Sequence, residues 1–235
     1  MSQLTAKACG YYTCAKNVLS QADGLAPLFI RLILAPTFII AGYNKLRLGD
    51  ESAGFFASLG PDANVAAWFG NADWGLGLPM PELMTFLAGW AEFGGGWLIL
   101  LGLATRLISI PLLFTMFIAM STAHLENGWF AIASSNPDTS AAQVLDWVGI
   151  PGAAASLENS EEVSRRLSKA KSVLKEHANY SWITQKGGIA VLNNGIEFAA
   201  TYFAMLLVLL FWGGGRYVSL DYWLRRRCEK QCSRA

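Results

Sequence analysis

Charge is scarce in this sequence of 235 residues, of which only 15% are Asp, Glu, Lys or Arg. A soluble domain usually carries about 25% charged residues. The 18 basic and 17 acidic residues leave a formal net charge of +1. Proteins that bind nucleic acid by releasing counterions need a strongly basic face, so the composition excludes that class. The 53% of hydrophobic residues favours a membrane protein instead.

Histidine and cysteine are also few, and their positions exclude several chemistries. The two histidines are too few and too far apart for a zinc-hydrolase motif. The four cysteines lie outside every apolar stretch, at Cys9, Cys14, Cys228 and Cys232. A membrane thiol oxidase needs a redox pair near its quinone, so this class is disfavoured. We interpret them as reduced cytoplasmic thiols, with a metal site at Cys228 and Cys232 as the alternative.

Long apolar stretches are what the sequence has in quantity. A helix needs about 20 apolar residues to cross the hydrocarbon core, and lipid offers no hydrogen-bond partners to an open strand. The four stretches that meet or approach this length are residues 25–43, 81–103, 107–124 and 188–212. They predict an all-α fold, a four-helix transmembrane bundle with a long extracytoplasmic loop between helices three and four.

Lys and Arg in the short connecting segments predict the orientation of these helices. Basic residues precede the first stretch, occupy the turn at Arg106 and follow the fourth stretch, so both termini are expected to be cytoplasmic. The predicted parts are a tail at 1–24, a membrane domain at 25–224 with outer loops at about 44–80 and 125–186, and a basic tail at 225–235. Within the second outer loop we expect a surface helix that begins at Asn159 or Ser160 and ends near His177.

Three ionisable residues lie inside the apolar stretches, where each costs at least about 2.5 kcal/mol on insertion scales. They are Arg31, Glu92 and Glu197. One interpretation is a structural clamp, in which Arg31 pairs with Glu92 and Glu197 bonds to Asn193 or Tyr202. The other is a quinone or redox site, in which Glu197 and His124 exchange protons with the outside. A polar path for a transported solute is a third interpretation.

Met116, Met120 and His124 recur at intervals of four residues, which places them on one face of an α-helix. Thioethers and imidazole are ligands for Cu(I), whereas methionine more commonly fills gaps in a helical core. The sequence therefore leaves both a copper site and ordinary packing open.

Several of these segments match a known family. LFIRLILAP (28–36), AGYNKL (41–46), EFGG (92–95), GLATR (102–106) and GGRYVSLD (214–221) resemble DoxX-like membrane proteins. WFGN (68–71), DWGLGLP (73–79), LNNGIEF (192–198) and the long third loop resemble the HvfX branch.

The resemblance implies a multi-pass protein of the bacterial inner membrane that assists the maturation of copper-binding modified peptides. The expected partners are the bilayer, the precursor peptide and its modification enzymes, with a homo-oligomer left open. We expect electron transfer between the maturation chemistry and the quinone pool, as a component of a quinone-linked oxidoreductase. The alternatives are an export partner for the peptide or copper, and a noncatalytic scaffold for the modification enzymes.

The sequence yields three groups of candidate residues. Glu92, Glu197 and His124 are the candidates for proton handling. Arg31, Lys45, Asn193 and Asn194 are the candidates for binding quinone or substrate. Met116, Met120 and His124, and separately Cys228 and Cys232, are the candidates for binding metal.

Overall fold

A computed structural model describes residues 11–17, 20, 22–149 and 152–232. The chain divides into two compact units. The first contains residues 1–117 and 202–235, and the second contains residues 118–201. The helices, in chain order, are α1 (Leu25–Lys45), α2 (Phe55–Ser58), α3 (Ala63–Gly70), α4 (Pro81–Leu101), α5 (Thr105–Ile118), α6 (Ala142–Trp147), α7 (Ala153–His177), α8 (Tyr180–Ile183), α9 (Glu197–Trp212) and α10 (Leu220–Cys232). A π-helix (Ala119–His124) extends α5, and β1 (Ile132–Ala133) pairs antiparallel with β2 (Val191–Leu192).

Three helical segments have the length and composition of membrane spans: Leu25–Lys45, Pro81–Leu101 and Thr105–Asn127. On α1, Arg31, Leu34 and Phe38 are buried along one face, whereas Phe29 and Ile40 are about 60% exposed on the other. An outward face this apolar is stable in lipid and costly in water. The protein is therefore an integral membrane protein with apolar helices.

The fourth predicted span is shorter than expected. Helix α9 has 16 residues, which is about 24 Å of helix, against a hydrocarbon core of about 30 Å. The region before it is not helical, because Asn194 has a φ of +59° and the N–H of Gly195 donates to the carbonyl of Phe130. The expectation of a helix from residue 188 is wrong for this reason, and the four-helix bundle itself stays a prediction.

The first unit has one hydrophobic core, built from the inner faces of four helices. Its fully buried members are Leu34, Ala35, Phe38, Ile99, Leu112, Leu206 and Leu209. They come from α1, α4, α5 and α9. This core holds α1 and α4 side by side and so fixes the polar residues that those helices carry.

The second unit contains the surface helix, but the helix begins earlier than predicted. Helix α7 starts at Ala153, after Gly152 with a φ of +85°. Ser160 does not cap it, because its hydroxyl donates to the carbonyl of Ser156 one turn back. Val163 and Leu167, one turn apart on this helix, are buried, whereas Ala170, one turn further on, is exposed.

Candidate functional site

The most unusual feature of the membrane-spanning helices is a salt bridge between Lys45 and Glu92. Lys45 Nζ lies 2.5 Å from Glu92 Oε2, and the side chains are 22% and 4% exposed. Lys45 is the last residue of α1, whereas Glu92 lies midway along α4. The two spans are therefore staggered, and the carboxylate lies level with the last turn of α1. The ammonium group supplies the compensation that a buried carboxylate needs.

Glycines bring the two helices close enough for this salt bridge. A Cβ at Gly42 would lie 2.2 Å from the backbone N of Phe93, and a Cβ at Gly96 would lie 2.7 Å from the Ile39 side chain. A Cβ at Gly89 would lie 2.8 Å from the side chain of Leu46. Small residues at such positions let helix backbones approach closely in a membrane. The α1–α4 contact is thus the scaffold that places Lys45 beside Glu92.

Two further polar groups lie on α4 near the salt bridge. Thr85 is two turns earlier on the same buried face, and its Oγ1 has no hydrogen-bond partner among the described residues. The indole N–H of Trp90 donates to the carbonyl of Leu59 at 3.1 Å. A hydroxyl buried without a partner is rare and often marks a functional contact. Thr85 is a residue that sequence reasoning missed, because Thr is ordinary in an apolar helix.

The loop after α1 carries a second, exposed ion pair. Arg47 Nη2 lies 2.7 Å from Asp50 Oδ2. The hydroxyl of Ser52 donates to Asp50 Oδ1 at 2.5 Å, and its backbone N–H donates to the same oxygen at 3.0 Å. The Ser52 hydroxyl, followed by Arg47, lowers the pKa of Asp50 to about 2. This carboxylate closes a turn and is ionised at any physiological pH.

Arg31 does not pair with Glu92, so the predicted clamp is wrong. Its guanidinium is 2% exposed and donates to four backbone carbonyls, those of Ile99, Leu100, Gly214 and Val218, at 2.5–3.0 Å. Two of these carbonyls belong to the last turn of α4, where unpaired C=O groups and the helix dipole favour a cation. Arg31 therefore ties the C-terminus of α4 to the turn that follows α9. Sequence reasoning missed this arrangement because backbone acceptors leave no trace in side-chain patterns.

Asp221 forms the complementary cap at the start of α5. Its two carboxylate oxygens accept from the backbone N–H groups of Ala104 and Thr105 at 2.7 and 2.8 Å. An anion at a helix N-terminus is favourable for the same electrostatic reason. In the sequence, the SLD segment at residues 219–221 is only part of the resemblance to the family. The signal for the role of Asp221 is a carboxylate in the first turn of a helix that has no partner close to it in the sequence.

The second unit brings together four of the predicted residues. His124 Nδ1 lies 2.8 Å from the carbonyl oxygen of Asn194. The amide of Asn193 donates to the carbonyls of Asn127 and Phe130. Glu197 Oε2 accepts from the backbone N–H of Ala131 at 3.0 Å.

These contacts correct one prediction. Asn193 precedes α9, and its amide donates to the carbonyls of Asn127 and Phe130 instead of to Glu197 as the clamp interpretation expected. Glu197 instead bonds to the backbone next to β1, and the cluster holds residues 124–131 against residues 193–197.

The predicted metal ligands do not share the geometry that the sequence suggested. Met120 and His124 lie in the π-helix, where i→i+5 hydrogen bonds change the spacing. The four-residue interval therefore does not define one face there. Cys228 and Cys232 are exposed, unpaired and one turn apart on α10. Cys9 lies outside the described residues, and within the described ranges no three His, Cys, Asp or Glu side chains are grouped as a metal site.

Comparison with known proteins gives one positive result. The DoxX family model matches residues 26–125, somewhat less than half of the chain. The match includes α1, α4 and α5, and with them Arg31, Lys45 and Glu92. No curated protein and no solved structure matches the chain. A DoxX family domain is therefore detected over residues 26–125, and the apolar helices of this region are those of an integral membrane protein.

Proposed function

We propose that this integral membrane protein passes electrons between the maturation of a copper-binding modified peptide and the quinone pool of the bacterial inner membrane. The single observation that carries the redox part is the salt bridge between Lys45 and Glu92, at 2.5 Å and with Glu92 nearly fully buried. Ionisable side chains inside membrane spans are costly, and they mark proton relays and ion pathways. The resemblance to the HvfX branch supplies the peptide and copper context.

The chemistry of a quinone makes such a pair useful. Reduction of a quinone to a quinol takes two electrons and two protons, so its site needs a group that holds a proton in an apolar setting. Glu92 is such a group, and Lys45, with 22% of its side chain exposed, connects it to the aqueous side. The hydroxyl of Thr85, which has no partner among the described residues, is a donor for a quinone carbonyl.

His124 and Glu197 are proposed to exchange protons with the outer aqueous phase. Glu197 is half-buried, and one of its carboxylate oxygens accepts a hydrogen bond from the N–H of Ala131. Nδ1 of the His124 ring forms a hydrogen bond with the carbonyl oxygen of Asn194. Nε2 is therefore the ring nitrogen that we propose exchanges protons. Asn193 and Asn194 hold this arrangement through their contacts with neighbouring backbone and ring atoms.

The deciding experiment compares the peptide product in cells that carry the wild type, no protein, or the Glu92→Gln variant. We expect unmodified peptide in the last two strains, with the variant present in the membrane at normal levels. Glu162→Gln, on an exposed helix of the second unit, is the matched control and should behave as wild type. Purified wild type should also show quinone-dependent redox turnover, and Glu92→Gln should lose it.

Two other outcomes would replace the proposal. Modified peptide or copper retained inside cells that lack the protein would indicate an export partner. Normal modification by Glu92→Gln and Glu197→Gln, with the modification enzymes still co-purifying, would indicate a noncatalytic scaffold. The exposed basic residues Arg225, Arg226 and Arg227 of α10 are the surface on which such a scaffold would depend.

Copper binding is a separate part of the proposal. The candidate ligands are Met116, Met120 and His124, and independently Cys228 and Cys232. Purified protein titrated with Cu(I) under reducing conditions should bind the ion. Replacement of both Cys228 and Cys232 by Ser should remove the Cu(I) that these two thiols bind. Absence of any binding would remove copper from the protein's own chemistry and leave it to the peptide.

A further inference from the structure

A cavity of the first unit lies at the end of the helices opposite to the Lys45–Glu92 salt bridge. It has a volume of about 630 Å³ and lies between the start of α1, the start of α5, the end of α9 and the start of α10. Arg31 donates to the carbonyl of Gly214, a lining residue in the turn at residues 213–215, at 2.8 Å. The cavity is thus formed by residues from four helices and from the turns next to them.

Three arginines and two aspartates line this cavity, and their charges do not cancel. Both carboxylate oxygens of Asp221 accept hydrogen bonds from backbone N–H groups at the start of α5. Asp23 lies 3.6 Å from Arg216. Arg106 contacts only the carbonyl of Phe211 at 3.0 Å and has no carboxylate within salt-bridge distance among the described residues. Arg225 is exposed and forms a long salt bridge, 3.9 Å from Nε to Glu229 Oε1 one turn later on α10. Arg106 therefore presents uncompensated positive charge to the cavity, and the solvent-exposed pair of Arg225 with Glu229 leaves the Arg225 guanidinium able to exchange Glu229 for another anion.

The remaining walls are apolar and continue into the lipid-facing surface. Leu107, Val208 and Trp212 line the cavity, and Leu107 and Trp212 are about 70% exposed. Tyr222, also in the lining, stacks edge-on against Trp223 at 5.4 Å. Tryptophan and tyrosine with exposed rings are typical of the headgroup level of a membrane. The arginines thus lie at the depth of lipid phosphates, and the apolar walls lie at the depth of the acyl chains.

We propose that this cavity binds the phosphate headgroup of an anionic phospholipid, held by Arg106 and Arg225 with its acyl chains along Leu107, Val208 and Trp212. A guanidinium binds phosphate oxygens in bidentate fashion, and basic pockets between membrane helices bind anionic headgroups. The bound lipid joins the beginnings and ends of four helices and anchors the basic helix α10 at the bilayer surface. The site is separate from the salt bridge of the proposed function and stands without it.

The test is a titration of the purified full-length protein in dodecyl maltoside with short-chain phosphatidylglycerol, and in parallel with phosphatidylcholine of equal chain length. Phosphatidylglycerol should bind at least tenfold more tightly. Arg106→Gln and Arg225→Gln should each weaken it about fivefold, from the usual contribution of a basic residue near an anionic surface. Arg227→Gln is the matched control, because this arginine is on the same helix but not in the cavity, and it should stay within twofold of wild type.

A gain-of-binding variant keeps the test decisive if the arginine variants fold poorly. Asp23→Asn removes the carboxylate that lies beside Arg216 and should tighten phosphatidylglycerol binding several-fold. Equal affinity for the two lipids, or unchanged affinity in both Asp23→Asn and the Arg106 and Arg225 variants, would overturn the proposal. Inorganic phosphate that binds as tightly as phosphatidylglycerol would also overturn it, because the apolar walls would then contribute nothing.

Discussion

Removing either partner of the Lys45–Glu92 salt bridge should have unequal effects on stability. Lys45→Met leaves a carboxylate that is 4% exposed without its partner, and breaking a buried ion pair in this way costs about 3–5 kcal/mol. Glu92→Gln should cost only about 1–2 kcal/mol. The amide oxygen still accepts from the ammonium group, and Lys45, at the end of α1 and 22% exposed, can turn toward water.

The double variant isolates the interaction. Lys45→Met with Glu92→Gln places no charge in the contact, so it should be more stable than Lys45→Met alone by about 1–2 kcal/mol. This value follows from an interaction energy of about 3 kcal/mol, the upper end of the range for residues in direct contact, less the cost of Glu92→Gln alone. The assay is reversible unfolding in mixed dodecyl maltoside and SDS micelles, with the free energy of unfolding measured for the wild type, both single variants and the double variant.

An exposed ion pair provides the control for this cycle. Arg166 and Glu162 lie 2.5 Å apart but are 80% and 46% exposed, and such pairs contribute at most about 0.5 kcal/mol on a helix. A coupling energy for Lys45 and Glu92 no larger than that of the control pair would refute the reasoning. So would a Lys45→Met variant that is no less stable than Glu92→Gln.

Three further predictions follow from the contacts of the first unit. Gly42→Ala should force α1 and α4 apart and cost more than about 2 kcal/mol of unfolding free energy, whereas Gly94→Ala, with open space at its Cβ position, should be neutral or stabilising by up to about 1 kcal/mol. Arg31→Met should cost at least about 3 kcal/mol in the same unfolding assay, because it leaves four carbonyls in buried or partly buried positions without their donor, and recovery by Arg31→Lys should be incomplete because Lys lacks the planar fork. Asp50 has a pKa of about 2 against an ordinary value of 3.8, so its contribution to stability is present above pH 3.8 and is lost as the pH falls through about 2; Ser52→Ala should raise this pKa in an NMR titration, and an unchanged pKa would contradict the assigned cause.

The sequence was sufficient for the features that depend on local composition. Residues 25–43 and 81–103 predicted helices that the structure places at Leu25–Lys45 and Pro81–Leu101. Length and apolarity are enough for such a prediction, because a helix satisfies its own backbone groups. The apolar face of α7 was predictable in the same way, from the helical spacing of Val163 and Leu167.

Prediction failed where the partner of a group lies far away in the chain. The bounds of α9 depend on hydrogen bonds from Gly195 and Glu197 to the carbonyls of Phe130 and Trp129. These bonds replace the helical ones that an apolar sequence would otherwise form. The start of α7 is a local error of a different kind: the sequence predicts a cap at Asn159 or Ser160, whereas the helix begins at Ala153, directly after Gly152.

The sequence by itself determined that the chain enters a membrane and that Arg31 and Glu92 enter with it, because hydropathy is a sum over neighbouring residues. Only the tertiary structure decided that Glu92 pairs with Lys45 and that Arg31 binds the carbonyls at the end of α4. That choice depends on the stagger of two antiparallel helices. The stagger is set by contacts at Gly42, Gly89 and Gly96, where the absence of a side chain lets two backbones meet.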